Sequence, residues 1–394
     1  MTNRGTLAVS FLVFVAMGML GAALGPALPD LADRAGSTLA ALGALFTATF
    51  GGTMLAQMLS GPLNDRLGQR PVLLTGLGLA ALGTLGIVLS HSLWLTLGSG
   101  MVFGMGFGAL DVSTNVLIAQ TFADRSVPVL NLLHVFYGVG SVLGPAAVSA
   151  GLRLWDSSLP ALGLGIALLA VPVPLVLRLA PGPLSARLAT SSQDAPGNFT
   201  YRAPLLWALG TLLLLYVGVE AGMGAWTTAY VDRSTALSVE TAALITSGFW
   251  LALTAGRVAG AAWGGRFTPY TVLWMCLAGM LAGGVLLALG TGSAPLTILA
   301  VLIIGFWAGP PFPTIVAIAT ATFRSGPGKA AGTVVALGSM GAATLPWTQG
   351  VVLDRAGTAA NAIYIVTLTG VMVLLYLGIR RRSARRADDS SNGQ

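Results

Sequence analysis

Four ionisable side chains stand inside long apolar runs of this 394-residue chain: Asp111, His134, Glu220 and Arg257. A charge at the centre of a bilayer costs at least about 2.5–3.5 kcal/mol, so such residues are read first as functional. Asp111 and Asn115 are four residues apart and share one helix face. A carboxyl tuned by a polar neighbour can bind and release one proton per cycle. His134 follows Asn131 by three residues, and an imidazole changes charge near physiological pH. Glu220 precedes Gly224 by four, which leaves its side chain room at a close helix crossing. It can take a proton, accept hydrogen bonds from a hydroxylated ligand, or both. Asp111, His134 and Glu220 are therefore the candidate proton-handling groups. Arg257 lies in the apolar run after that of Glu220 and nearer its cytoplasmic end, so a direct Glu220–Arg257 pair is not expected.

Aromatic and amide side chains suggest what such a site would hold. Trp226 and Tyr230 are one turn apart, and Trp250, Trp307 and Trp347 are also mid-run, away from the interfacial belts that explain many membrane tryptophans. Gln349, Asn115 and Gln120 add neutral polar capacity. The candidate ligand contacts are Asn115, Asn131, His134, Glu220, Trp226, Tyr230, Trp250, Trp307 and Gln349. Together they fit a neutral, polyol-like molecule; no pair of mid-run arginines is present to hold phosphates or dicarboxylates. Neither HExxH, a Walker loop nor a Ser-His-Asp set occurs, so no enzyme, cofactor or metal site is expected. The single cysteine, Cys276, can form no intrachain disulfide.

These residues need helices that cross a membrane. Apolar residues make up 55% of the chain and charged residues only 8%, against about 25% charged in soluble domains. Runs long enough to span a bilayer occur at 6–28, 39–60, 71–90, 93–122, 128–152 and 159–179. They recur at 204–230, 240–263, 270–290, 295–322, 329–352 and 360–379. The first run is too long for a secretory signal and is read as an uncleaved span. The expected architecture is an all-α membrane protein of twelve transmembrane helices. Its parts are an N-terminal six-helix half (1–180), a cytoplasmic linker (181–203), a C-terminal six-helix half (204–380) and a cytoplasmic tail (381–394). With that count, fifteen Arg and Lys fall on the side of the termini and four on the other, Arg257 being inside a span. The positive-inside rule then places both termini in the cytoplasm. The net charge of +7 is thereby a topology signal and calls for no nucleic-acid partner. A monomer in a bacterial inner membrane is expected.

The loop Gly61-Pro-Leu63-Asn-Asp65-Arg66-Leu-Gly68-Gln69-Arg70-Pro resembles the signature loop of the major facilitator superfamily, with Gln69 departing from its pattern. The resemblance implies a gating latch built from Gly61, Asp65, Arg66, Gly68 and Arg70, to which Arg257 is added. Gly61 is expected to let spans 2 and 11 approach closely. A finer resemblance is to the fucose permease and glucose/galactose transporter branch. It is carried by Gly104-x-Gly106-x-Gly108-x-x-Asp111-x-x-x-Asn115, by Leu130-Asn131-Leu132-Leu133-His134-x-Phe136, by Tyr216-Val217-Gly218-x-Glu220-x-x-x-Gly224-x-Trp226 and by Gly309-Pro310-Pro311-Phe312-Pro313-Thr314. It implies alternating access with proton-coupled uptake of a sugar-like solute, and an acidic proton site at the position of Asp111. The middle of span 1, 18–29, lacks the acid that this branch often carries there. The stretch 138–149 partly resembles the Gly-Pro motif of proton-coupled antiporters, which implies efflux of hydrophobic compounds as the alternative. The breakers Gly144-Pro145, Pro310-Pro311, Pro313 and Pro346 are expected to kink spans 5, 10 and 11.

Overall fold

A computed structural model describes residues 3–122, 126–179, 201–263, 266–323 and 326–392. Most of the expected linker, with Arg187, lies outside the described residues, as do Arg125, Arg324 and the tail side chains beyond 380. Among the described residues every regular element is a helix. Eleven are long and apolar enough to cross a membrane. Spans 1 to 6 are Asn3–Arg34, Leu39–Leu67, Gln69–Leu89, Leu93–Phe122, Val129–Trp155 and Leu159–Val176. Spans 7 to 10 are Pro204–Ser234, Val239–Ala262, Pro269–Leu289 and Ala294–Thr322.

The last apolar helix, Lys329–Arg380, has 52 residues. At 1.5 Å per residue it would be about 78 Å long, more than twice a hydrocarbon core of about 30 Å. Gly357 breaks it, with φ 83° and ψ −177°, a conformation that costs glycine little. Its two arms, 329–356 and 358–380, are spans 11 and 12. The chain is thus an all-α membrane protein with twelve spans among the described residues.

By contact the chain divides into two compact units. The first comprises Met1–Ser192 with Gly224–Arg233 and Leu237–Leu251. The second comprises Gln193–Met223, Ser234–Ala236 and Ala252–Gln394.

In the first unit, small residues let helices meet backbone to backbone. A Cβ on Gly104 or Gly108 of span 4 would collide with the carbonyls of Thr49 and Thr53 on span 2, and one on Gly106 with the backbone of Ala80 on span 3. Spans 1 and 5 meet in the same way at Gly18, Gly140 and Gly144. Lipid supplies no hydrophobic drive between helices, so close packing of this kind takes its place. Asp30, at the end of span 1, accepts hydrogen bonds from Ser158 N at 2.6 Å, Ser158 Oγ at 2.7 Å and Ser157 Oγ at 3.2 Å. It thereby satisfies an amide at the start of span 6.

The loop between spans 2 and 3 turns at Gly68, whose φ of 83° disfavours a side chain. Two amides fasten it to span 4. Asn64 donates to Ser113 Oγ at 3.0 Å, and Gln69, the residue that departs from the family pattern, donates to Gln120 at 2.7 Å. Asp65 and Arg66 are exposed. A Cβ on Gly61 would meet nothing within 4 Å.

In the second unit, span 10 is two helices, Ala294–Trp307 and Pro311–Thr322. Pro310 and Pro311 bring no N–H, so the carbonyls of Phe306 and Trp307 lose their helical donors. The N–H of Gly309 turns back to Phe306 O at 3.2 Å. Span 8 fits against this break, where Gly256 and Gly260 leave room for Phe306 and Pro310. Pro145 and Pro346 lie inside continuous helices.

Candidate functional site

Two polar clusters centred on an acid stand out in the described spans, one in each unit. In the first, Asp111 of span 4 is held by neutral amides. Gln57 of span 2 donates to Asp111 Oδ2 at 3.1 Å. Asn115, one turn along span 4, donates to Asp111 Oδ1 at 3.0 Å and to its main-chain carbonyl at 2.8 Å. The shared face expected for Asp111 and Asn115 is present, and both are half-buried. The glycine ladder positions the pair, because Gly104 and Gly108 bring span 2 close enough for Gln57 to reach across.

In the second unit, Glu220 of span 7 is the centre. Arg257 Nη2 lies 3.2 Å from Glu220 Oε1, with 31% and 15% of the two side chains exposed. The expectation that these residues stay apart is therefore wrong. Span 7 ends at Ser234 and span 8 begins at Val239. Measured from that turn, the two residues differ in depth by four positions, about 6 Å. The long arginine stem covers that distance. The Tyr216 hydroxyl lies 2.5 Å from Glu220 Oε2 and 2.6 Å from the carbonyl oxygen of Ala308, the residue that ends the first half of span 10. One carboxyl is thus joined to a guanidinium on span 8, a phenol on its own helix and, through the phenol, the break in span 10.

The other expected ligand contacts are scattered. Trp226 is fully buried, its ring packed on Phe46 at 6.4 Å between centroids and over Gly43. Tyr230 is buried at 3% exposure. Gln349 is equally buried and tied to span 12, where Asn361 Nδ2 donates to its carbonyl at 3.2 Å. These three are buried against neighbouring side chains. Trp250 and Trp307 are half-buried, over Gly224 and Gly279 respectively. Trp347 is 44% exposed. Asn131 and His134 are exposed, with His134 edge-on to Phe14 at 5.6 Å.

Gln57 and Tyr216 were missed as site residues. For Tyr216 the signal was present: it precedes Glu220 by four, the spacing that puts two side chains on one face. Gln57 carried only the weaker signal of an amide inside an apolar run. No group of three or more metal-binding side chains occurs among the described residues.

Comparison with known proteins adds the following. The family model described as Major Facilitator Superfamily matches residues 9–234, more than half of the chain. The chain is 29% identical over 135 residues to the sodium-dependent glucose transporter 1A of Mus musculus, a match covering 34% of this chain and 32% of that protein. It is 26% identical over 385 residues to multidrug resistance protein D of Escherichia coli, covering 94% of each. Among solved structures, the nucleoside transporter NupG superposes with a TM-score of 0.80 at 14% identity, over 96% of this chain and 99% of that one. At that identity the likeness is one of fold.

Proposed function

Since the chain belongs to the major facilitator superfamily and is a multi-pass membrane transporter, we propose that it carries a small neutral polar solute, of the sugar class, by proton-coupled symport. Alternating access comes from rocking of two six-helix halves, 1–180 and 204–380, about the linker 181–203. Both termini are cytoplasmic on the loop-charge argument, in a bacterial inner membrane. The working form is a monomer.

The observation that carries this reading is the pair of carboxyls, Asp111 and Glu220, each placed in a span among hydrogen-bonding partners. An intramembrane acid of this kind is the ordinary mark of a proton or solute path. Asp111, His134 and Glu220 are assigned to proton handling. Asn115, Asn131, His134, Glu220, Trp226, Tyr230, Trp250, Trp307 and Gln349 are assigned to the solute. The loop Gly61, Asp65, Arg66, Gly68 and Arg70, together with Arg257, is assigned to gating. The glucose-transporter relative supports the solute class.

Uptake of labelled hexoses into proteoliposomes, under an imposed proton gradient or sodium gradient and under neither, tests this. Accumulation driven by the proton gradient is expected. No hexose entry under any condition removes the sugar assignment, and accumulation driven by sodium alone removes the proton. A second reading, efflux of hydrophobic compounds by proton exchange, is favoured by the full-length likeness to multidrug resistance protein D and by the partial Gly-Pro motif at 138–149. Drug hypersensitivity of a deletion strain would support it.

A further inference from the structure

Span 12 leaves the membrane among arginines. Arg380, Arg381, Arg382, Arg385 and Arg386 fall within one short stretch, 380–386, and the helix that carries them continues to Asn392. The corresponding end of the first half, where span 3 begins and span 6 ends, is plainer. Arg70 and Arg178 are the basic residues of 69–80 and 168–179, and neither stretch contains an aromatic residue. Two arginines are thus enough to mark that end for orientation, and the run at 380–386 exceeds what orientation asks for.

An aromatic group stands directly inside the membrane from this run. The ring of Tyr376, on span 12, stacks on Trp274 of span 9, with 5.7 Å between centroids and 26° between planes. The Tyr376 hydroxyl donates to the carbonyl oxygen of Tyr270 at 2.7 Å, which fixes the ring between the two helices. Tyr376 is buried, whereas Trp274 is 36% exposed. Arg380, one turn beyond Tyr376, lies within hydrogen-bonding reach of the same hydroxyl and is itself exposed. Counted along the helices, Trp274 is five positions inside the start of span 9 and Tyr376 four inside Arg380, about 6–8 Å in each case. That is the depth at which an indole meets the glycerol and upper acyl region of a lipid. An arginine at the helix end reaches from there to the headgroup.

We propose that the paired ends of spans 9 and 12 bind an anionic phospholipid, with the headgroup phosphate drawn by Arg380 and the basic run after it and the acyl chain resting on Trp274. Guanidinium groups pair well with phosphate, and a basic cluster immediately beyond a span attracts anionic headgroups. The exposed indole points to a lipid rather than a free anion, because inorganic phosphate has no apolar part to lay against it. The inference goes beyond the transport reading. It needs neither a solute nor a direction of the chain across the membrane.

Fluorescence quenching by brominated lipids tests it on the full-length chain in phosphatidylcholine vesicles. The Trp274 signal is the difference between wild type and Trp274→Phe. It should be quenched half-maximally at a lower mole fraction of brominated phosphatidylglycerol than of brominated phosphatidylcholine. Arg380→Gln should raise the phosphatidylglycerol midpoint about fivefold, the weight of one basic residue near an anionic surface, and leave the phosphatidylcholine curve in place. Equal midpoints for the two lipids in the wild type, or an unmoved phosphatidylglycerol midpoint in Arg380→Gln, overturn the proposal. Should Trp274→Phe fail to fold, native mass spectrometry of the wild type and Arg380→Gln decides. Phosphatidylglycerol should stay bound in preference to phosphatidylcholine on the wild type and less so on the variant, and equal retention overturns the proposal. Excess inorganic phosphate should act no more strongly than sodium chloride of equal ionic strength. A larger effect would assign the site to a free anion and overturn the lipid.

Discussion

Asp111 and Glu220 are both single acids set in apolar helices, yet their surroundings differ in kind. Asp111 is bonded to two neutral amides, Gln57 and Asn115, on spans 2 and 4. Around that pair both helices are unbroken and pressed together by glycine. At Glu220 a guanidinium and a phenol converge, and the phenol also meets a carbonyl at a helix break. A change of charge on Asp111 alters the electrostatics of a fixed pair. A change of charge on Glu220 alters the hydrogen bonding of a discontinuity, and helices bend at such interruptions. The first cluster is seated between unbroken helix stretches and the second against a helix break.

The severest way to break this comparison is to unfasten the first cluster. Gly108→Val in span 4 places side-chain atoms where Thr53 O and Ala56 now lie. Those neighbours are backbone and a short side chain, so the helices themselves must part, and Gln57 is drawn away from Asp111. Loss of the folded, monodisperse protein is expected in size-exclusion chromatography. The same substitution at Gly78, where a Cβ meets open space, serves as the control and should leave the profile unchanged. Normal behaviour of Gly108→Val would mean that the first cluster is not held by helix contact.

Removal of a cation comes next. Arg257→Met keeps the stem and deletes the charge beside Glu220. Stripping one partner from a fully buried pair costs about 3–5 kcal/mol. Here 31% of the Arg257 side chain is exposed, so water repays part of the loss, and about 2 kcal/mol is expected. A lowered thermal midpoint in detergent checks this. Glu220→Gln with Arg257→Met should recover most of it, because the double variant leaves no unpaired charge. No recovery would mean that Arg257 acts through packing alone.

The fold was legible because its signals are long and repeated. Twelve apolar runs and a glycine ladder each constrain many residues at once. The bond from Asp111 to Asn115 was legible too, since it is local to one helix turn. The contact from Glu220 to Arg257 was not. It depends on a depth difference of about one helix turn and on an arginine stem long enough to cover it, and a sequence read in runs resolves neither.

The smallest expected effect sharpens the comparison most. Gln57→Leu is close to isosteric and removes one of the two amides bonded to Asp111. Asn115 still donates from the next turn, at 3.0 Å, so the acid keeps a partner. No charge is orphaned and no helix is pushed aside. Measured side-chain hydrogen bonds between membrane helices average about 0.6 kcal/mol and reach about 1.7, and the cost should fall in that range. The thermal midpoint should drop by clearly less than for Arg257→Met under identical detergent conditions. A drop as large as that of Arg257→Met would mean that Asp111 depends on Gln57 as Glu220 depends on its cation. The two clusters would then differ in residue type and not in the kind of support they receive.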